Sequence, residues 1–380
     1  MGKIFTGMWV AIAAFWLLSS DAWAEPAALA GDGAAITEDS GNVFLTMELS
    51  RVVPWRVAMA DEPPRLVLEL QDIFLDREVA LRSSSIGDVA VVPTGVDRYE
   101  VNALLREPLA ILSAEMVSLT GGGARLDVVL EPTTADDFRS ALQEEGAAPE
   151  PDRLVVAIDP GHGGRDPGAE ADGMREADLV LGFAFRLRDA LLASGKFDVV
   201  LTRETDEFVS LDARLTRARD AGAELLISLH ADALEDADAA SGIVVYRLAD
   251  EARAAADARL IERHGPEDQL SGVDLTGAGD DVSQSLLALA RKDAIPRSRD
   301  LSAKLVAGFR SAELVVNSRP ERVGAFTVLK AADIPSVLIE LGFLSTDEDL
   351  RRLTSAEWQI VTAAAMRDAL LLWADEDRLR

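Results

Sequence analysis

Histidine is scarce in this chain, three in 380 residues, and two of the three come at or shortly after the ends of apolar runs. His162 comes shortly after "LVVAID" and His230 closes "ELLISLH". Glu340 ends the apolar "SVLIE", and Glu176 stands just ahead of an apolar-periodic segment. Open α/β sheets present functional residues at the carboxyl ends of their strands, so these four residues are expected on one rim. Two histidines and one glutamate with an open fourth position form a catalytic zinc shell. A further carboxylate beside it can take a proton from water and return it to a leaving amine. Zinc in such a shell polarises a carbonyl and lowers the pKa of water to about 7, which points to hydrolysis of an amide or ester.

The residues alone leave alternatives open. His162 by itself could be a structural turn histidine, Glu170 and Asp172 compete with Glu176, and Glu340 could be a plain strand-end carboxylate. His264, in the polar "ERHGPED", reads as a surface residue. The glycine-rich "GHGGRDPG" fails two other readings. It lacks the Lys-Ser/Thr of a phosphate loop, and Asp166 stands where a dinucleotide fingerprint needs its third glycine. The chain has no cysteine, which excludes disulfides, thiolate metal sites and cysteine nucleophiles. A formal net charge of −28 argues against nucleic acid as a partner, because phosphates would be repelled.

The elements needed to position these residues follow from periodicity. From Leu154 onward, apolar strand runs alternate with helical patterns, which predicts an α/β domain with a twisted, mostly parallel sheet covered by helices. A helix is expected over Ser298–Ala312. The last helix should open with a Thr354-x-x-Glu357 capping box and bury Val361, Ala365, Leu372 and Trp373. Upstream, "NVFLTMEL", "RLVLEL" and "RLDVVL" alternate apolar and polar residues between turn signals. Residues 35–132 therefore read as a separate all-β sandwich, with residues 25–41 as a loose lead-in. Residues 133–153 read as a linker with a short helix near Phe138–Leu142. Residues 249–297 form an insert longer than a usual βα connection, with two helical pieces around "LSGVDLTGAGD". Residues 1–24 have the form of a signal peptide: Lys3, an apolar core Met8–Leu18 and Ala22-Trp23-Ala24 as the cleavage site. The mature chain is expected to start at Glu25, to be exported to the periplasm and to have no stable membrane span.

Together these residues resemble a known family. Residues 154–376 are similar to the zinc-dependent N-acetylmuramoyl-L-alanine amidases of bacterial cell-wall turnover. The matching pieces are "VVAIDPGHGGRDPGA", "READLVL", "LTRETDEFVSLDARLTRA", "ISLHADA", "SGIVVY" and "PSVLIELGFLST", in family order. The resemblance implies His162, Glu176 and His230 as zinc ligands, Glu340 as the catalytic glutamate, and cleavage between the lactyl group of N-acetylmuramic acid and L-alanine. The β-rich N-terminal part, through "VPWRVAMADEPPRLVLEL", resembles the AMIN domain, which implies binding to peptidoglycan and enrichment at division sites. Two departures change no implied ligand: "RARDAGA" replaces a longer polar element, and the second ligand sits in "EAD" where the family often has "EKD". The insert resembles that of cell-separation amidases. This implies a helix that covers the zinc until an activator with a LytM-type domain displaces it, with Glu262 among the residues able to block the metal. A monomer is expected. A catalytically silent wall-binding protein and a glycan deacetylase remain the alternatives.

Overall fold

The computed structural model describes residues 26–74, 83–95, 97–119, 122–147, 153–233, 241–248, 280–324, 326–331 and 333–377. The expected signal peptide (1–24), His264, Glu262 and the insert up to residue 279 lie outside the described residues.

The N-terminal part is all β. Its strands are β1 (Ala27–Asp39), β2 (Asn42–Leu49), β3 (Trp55–Ala60), β4 (Arg65–Gln71), β5 (Ile73–Phe74), β6 (Ile86–Gly95), β7 (Arg98–Leu105), β8 (Leu109–Ser118) and β9 (Ala124–Pro132). They form two sheets, ordered β5-β1-β2-β9-β8 and β3-β4-β7-β6. Val43, Leu45, Met47 and Leu49 from the first sheet share one core with Leu66, Leu68 and Leu70 from the second, as the period-two alternation requires. One expectation is corrected. The supposed lead-in is a strand: β1 pairs antiparallel with β2 from Ala34 to Asp39, after an irregularity between Leu29 and Ala34. Its Ala/Gly-rich sequence has weak strand preference, so the partner strand imposes the conformation.

Helix α1 (Ala135–Ala147) follows. It is longer than the predicted helix and starts at Thr134, whose hydroxyl accepts the Asp137 N–H at 3.1 Å. The second sheet system then comprises β10 (Leu154–Pro160), β13 (Phe197–Leu201), β14 (Leu225–His230), β15 (Ile243–Leu248), β16 (Val316–Gly324) and β17 (Ser336–Glu340). A small hairpin, β11 (Glu170–Ala171) and β12 (Met174–Arg175), stands apart from it. The strand order is β13-β10-β14-β17-β15-β16, parallel except where β15 meets β17. Helices α2 (Glu176–Ala193), α4 (Asp280–Ser311) and α6 (Ala356–Asp377) bury Phe183, Leu187, Leu301, Leu305, Phe309, Met366 and Trp373 in one core with Val156, Ile158, Leu225 and Ile227. On the opposite face, α3 (Leu211–Asp220) packs Leu215 and Ala218 against Ala157 and Leu226. The strand-end rim carrying His230 and Glu340 is thus backed by a closed apolar core on both faces.

Three local expectations change. The second helical piece, "DDVSQSLLALAR", and the Ser298 helix are one continuous helix, α4, with Pro296 inside it, and the first piece, "DEARAAADARLIERH", lies outside the described residues. Thr354 does not cap α6. It ends α5 (Asp347–Leu353), and Ser355 receives the Trp358 N–H at 3.3 Å instead. Ala365 and Trp373 are buried in α6 as expected, but Val361 and Leu372 are exposed, Leu372 to 61%. Thr362, Met366, Ala369 and Leu370 face inward beside Ala365 and Trp373. Val361 and Leu372, eleven positions apart, therefore fall together on the outer face.

The β part and the α/β part meet at the carboxyl end of α2. Leu192 belongs to the core of the β sheets. Arg153 donates to the Trp55 carbonyl and pairs with Asp198 at 3.1 Å.

Candidate metal centre

The parallel register brings two of the four residues together directly. His230 and Glu340 are Cα partners on the neighbouring strands β14 and β17, each the last residue of its strand. His162 lies beyond β10, on the other side of β14. Glu176 opens α2, where the partial positive charge of a helix N-terminus favours a carboxylate.

Glu176 is the hub. It is 1% exposed. Its Oε1 lies 3.2 Å from His162 Nε2 and 3.1 Å from His230 Nδ1, and accepts the Ala231 N–H at 2.9 Å. Its Oε2 accepts the Ala169 N–H at 2.9 Å. The two imidazole rings are edge to face with centroids 5.0 Å apart. Ligand atoms of His162, Glu176 and His230 all lie within 4.8 Å of one another. Ligands at tetrahedral angles, about 2.05 Å from one ion, stand about 3.3 Å apart, so the spacing and the N/N/O donor set both fit a metal. His162 Nδ1 is held by Asp166 Oδ2 at 2.9 Å, the outer-shell support a metal-binding histidine needs to fix its ring. Glu170 and Asp172, the rivals of Glu176, stand in the β11–β12 hairpin and are not part of the cluster.

Two glycines make room for these side chains. A Cβ on Gly161 would stand 2.4 Å from His230 Cε1, and one on Gly168 would stand 2.7 Å from Glu176 Oε2. His162 itself holds φ at +57°, a left-handed conformation that costs a non-glycine residue energy. The neighbouring glycines alone do not set that bend.

Two buried arginines hold it, and sequence reasoning assigned them no role. Arg203 donates to the carbonyls of Pro160 (2.9 Å), Gly161 (2.7 Å), Ala177 (2.8 Å) and Thr205 (3.0 Å). Arg214 donates to the carbonyls of Pro160 (2.6 Å), His162 (2.7 Å) and Val209 (3.0 Å), and to Asp159 Oδ1 at 2.8 Å. Asp159 also accepts hydroxyls from Thr202 and Ser228. Burial raises the Asp159 pKa, but the Arg214 charge and these hydrogen bonds outweigh it and hold the carboxyl below its ordinary value. The carbonyls of the turn therefore bond to guanidinium groups fixed from below. The only sequence signal was their place in "LTRETDEFVSLDARLTRA", one of the pieces that resembles the family.

The two glutamates of the site have opposite electrostatics. Burial raises the Glu176 pKa, but hydrogen bonds and charge from His162 and His230 pull it well below the usual carboxylate range. Burial opposes the charged form of His162 as well, yet Glu176 and Asp166 raise its pKa to about 9. Glu340 is fully buried. Burial, then the nearby charges of Glu176 and Asp232, push its carboxyl well above the usual range. Its Oε2 accepts the Asp232 N–H at 3.0 Å, and its Oε1 has no hydrogen-bond partner among the described residues. One carboxylate is kept charged as a hub, and the other is left ready to carry a proton.

A rim-mounted cluster able to hold a metal, beside a proton-carrying carboxyl on a helix-covered parallel sheet, defines a hydrolytic enzyme. Comparison with known proteins identifies which one. The profile of the N-acetylmuramoyl-L-alanine amidase family matches residues 156–371, more than half of the chain, and the chain belongs to that family. It is similar to AmiC of Escherichia coli, 26% identical over 377 residues, covering 91% of this chain and 90% of that protein. AmiC of Neisseria meningitidis is 30% identical over 348 residues, 83% of each chain. The solved structure of AmiC2 of Nostoc punctiforme matches 59% of this chain and 98% of that one, with 25% identity and a TM-score of 0.43. The enzyme is an N-acetylmuramoyl-L-alanine amidase acting on peptidoglycan. Among the described residues, no helix is long and apolar enough to cross a membrane.

Proposed function

We propose that the amidase is zinc-dependent, with His162, Glu176 and His230 as the ligands and Glu340 as the general base and acid. The observation that carries this is the register of β14 and β17, which sets Glu340 beside His230 with an uncommitted buried oxygen. Zinc held by the three residues supplies a Lewis acid that polarises the scissile carbonyl and makes water more acidic. Glu340 takes a proton from the attacking water as the oxygen–carbon bond forms. It returns that proton to the nitrogen of L-alanine as the carbon–nitrogen bond breaks. The raised proton affinity of its carboxyl suits both transfers. Asp166 keeps the His162 ring in place, and Arg203 and Arg214 keep the turn beneath it.

Around this site we assign residues 35–132 to an AMIN-like wall-binding domain, 133–153 to a linker and 154–376 to the catalytic domain. Residues 1–24 act as a signal peptide for export to the periplasm. The enzyme serves wall turnover and daughter-cell separation. The insert 249–297 restrains it until a LytM-domain activator engages, and the insert's length supports this reading.

One set of measurements tests these assignments: metal content and muropeptide release for the wild type, His162→Ala, Glu340→Gln and a chain lacking residues 249–279. His162→Ala should lose zinc. Glu340→Gln should keep zinc and lose turnover by about 10²-fold or more. The shortened chain should release stem peptides faster than the wild type. Full zinc occupancy in His162→Ala sinks the ligand set, wild-type turnover in Glu340→Gln sinks the base, and unchanged release by the folded shortened chain sinks the restraint.

A further inference from the structure

The turn that carries His162 also carries a cation. Arg165 is exposed, and its guanidinium carbon sits 4.1 Å from the centroid of the Phe208 ring. Phe208 is itself 43% exposed, so the pair forms a platform at the surface. The pair is fixed from beneath. A Cβ on Gly164 would fall 2.6 Å from the Phe208 backbone nitrogen, and one on Gly163 would fall 2.2 Å from the Glu207 carbonyl. The Gly164 N–H donates to Asp206 Oδ1 at 2.7 Å. The turn and the Asp206–Phe208 segment thus lie backbone to backbone. Arg165 is the immediate neighbour of Asp166, which holds the His162 ring.

The carboxylates that precede Phe208 in sequence are committed elsewhere. Asp206 also binds Arg175 at 3.0 Å, and Glu207 pairs with Arg217 at 3.0 Å. Among the described residues Arg165 makes no ion pair, and its contact is the Phe208 ring. In a chain of formal charge −28, an anionic substrate is repelled at long range. A local cation on the turn that carries His162 offsets that repulsion where the substrate docks.

We propose that Arg165, held on Phe208, binds a carboxylate of the stem peptide and makes the enzyme select stems whose residue after L-alanine carries a free carboxylate. The proposal rests on the amidase reading of the adjoining centre. The physical basis is the match between a planar guanidinium fork and a carboxylate, which accepts two parallel hydrogen bonds. Stacking on the ring fixes the guanidinium before substrate arrives, so less side-chain freedom is lost on binding. A carboxamide at the same position has nearly the same shape but no charge. It is the control the chemistry supplies.

The test uses the full chain and two muropeptides that differ only in the residue after L-alanine, one with a free α-carboxylate and one with that group amidated. The wild type should favour the free acid by about five- to tenfold in kcat/KM, through KM. Arg165→Ala should bring the ratio close to one by raising KM for the free acid alone, with turnover of the amidated substrate unchanged. Phe208→Ala should fall between, because the cation remains but is no longer fixed. A ratio equal in wild type and Arg165→Ala overturns the proposal, as does an equal loss on both substrates. Cleavage of neither substrate by the wild type overturns the amidase reading and the proposal with it, an outcome distinct from cleavage without discrimination.

Discussion

The two cores of this chain follow different rules. In the β sheets, inward positions are apolar by simple alternation, and Ser85 is the one buried polar side chain among their described residues. In the α/β part, the core beneath the strand ends contains Asp159, Glu176, Arg203, Arg214, His230 and Glu340. Burial of apolar area is enough to close a sandwich. A reactive rim needs charged groups out of water, and each must be matched or it destabilises the fold. Half of the arginine bonds in this network go to the Pro160–His162 turn, so much of its role is to position the candidate site.

Removing Arg214 should break that contrast most severely. Arg214→Ala leaves Asp159 buried without its cation and frees the His162 carbonyl, while the Pro160 carbonyl keeps its bond from Arg203. Loss of one partner of a buried pair typically costs about 3–5 kcal/mol. Denaturant unfolding should show a loss of that size, and a competing chelator should show metal affinity weakened by about 10–100-fold. The pH dependence has a definite sign. The folded pKa of Asp159 is depressed, so its stabilising contribution is present above the unfolded value, about 3.9, and lost as pH falls through the folded one. Without Arg214 that contribution is missing at neutral pH. The stability gap between wild type and variant should therefore narrow as pH drops below about 4. A gap that widens in acid would assign the coupling to some other group.

Leu68→Ala probes the other rule. Leu68 is fully buried between the two β sheets, and its truncation should cost about 3 kcal/mol. Metal affinity and the kcat of the amidase on a soluble muropeptide should not move. If metal affinity falls as it does in Arg214→Ala, the division into an apolar frame and a charged site is wrong.

Much of this contrast was legible in the sequence. Period-two alternation in "NVFLTMEL" and "RLVLEL" exposed the sandwich core, and the apolar runs ahead of His162 and His230 exposed the rim. The unreadable parts share a cause: their state depends on partners distant in sequence. Strand β1 takes its conformation from β2. Strand β16, "VNSRPERVG", is polar and contains Pro320, yet pairs parallel with β15. Helix α4 runs through Pro296 against local preference. Arg203 and Arg214 look like any surface arginines until the chain folds and places carbonyls around them. The four proposed site residues were visible because His162, His230 and Glu340 follow or end apolar strand runs and Glu176 opens an apolar-periodic helix. Their supports were not, because they sit in loops and helices that only the fold brings near.

The seam between the two cores offers the smallest and sharpest test. Gly195 terminates α2 with φ at +68°, a conformation that L side chains rarely adopt. A Cβ there would stand 3.3 Å from Trp55 Cζ2, tight enough to push the indole away. Gly195→Ala should therefore cost about 1–2 kcal/mol from backbone strain alone. The informative result is where that cost appears. Trp55 and Leu192 belong to the β core while Leu191 belongs to the α/β core, so α2 ties the two together at this point. If the tie makes them unfold together, the variant should separate a single calorimetric transition into two, with the β transition moving to lower temperature. If both transitions shift in step, or neither moves, the seam is passive packing and the two cores differ in composition without being coupled in stability.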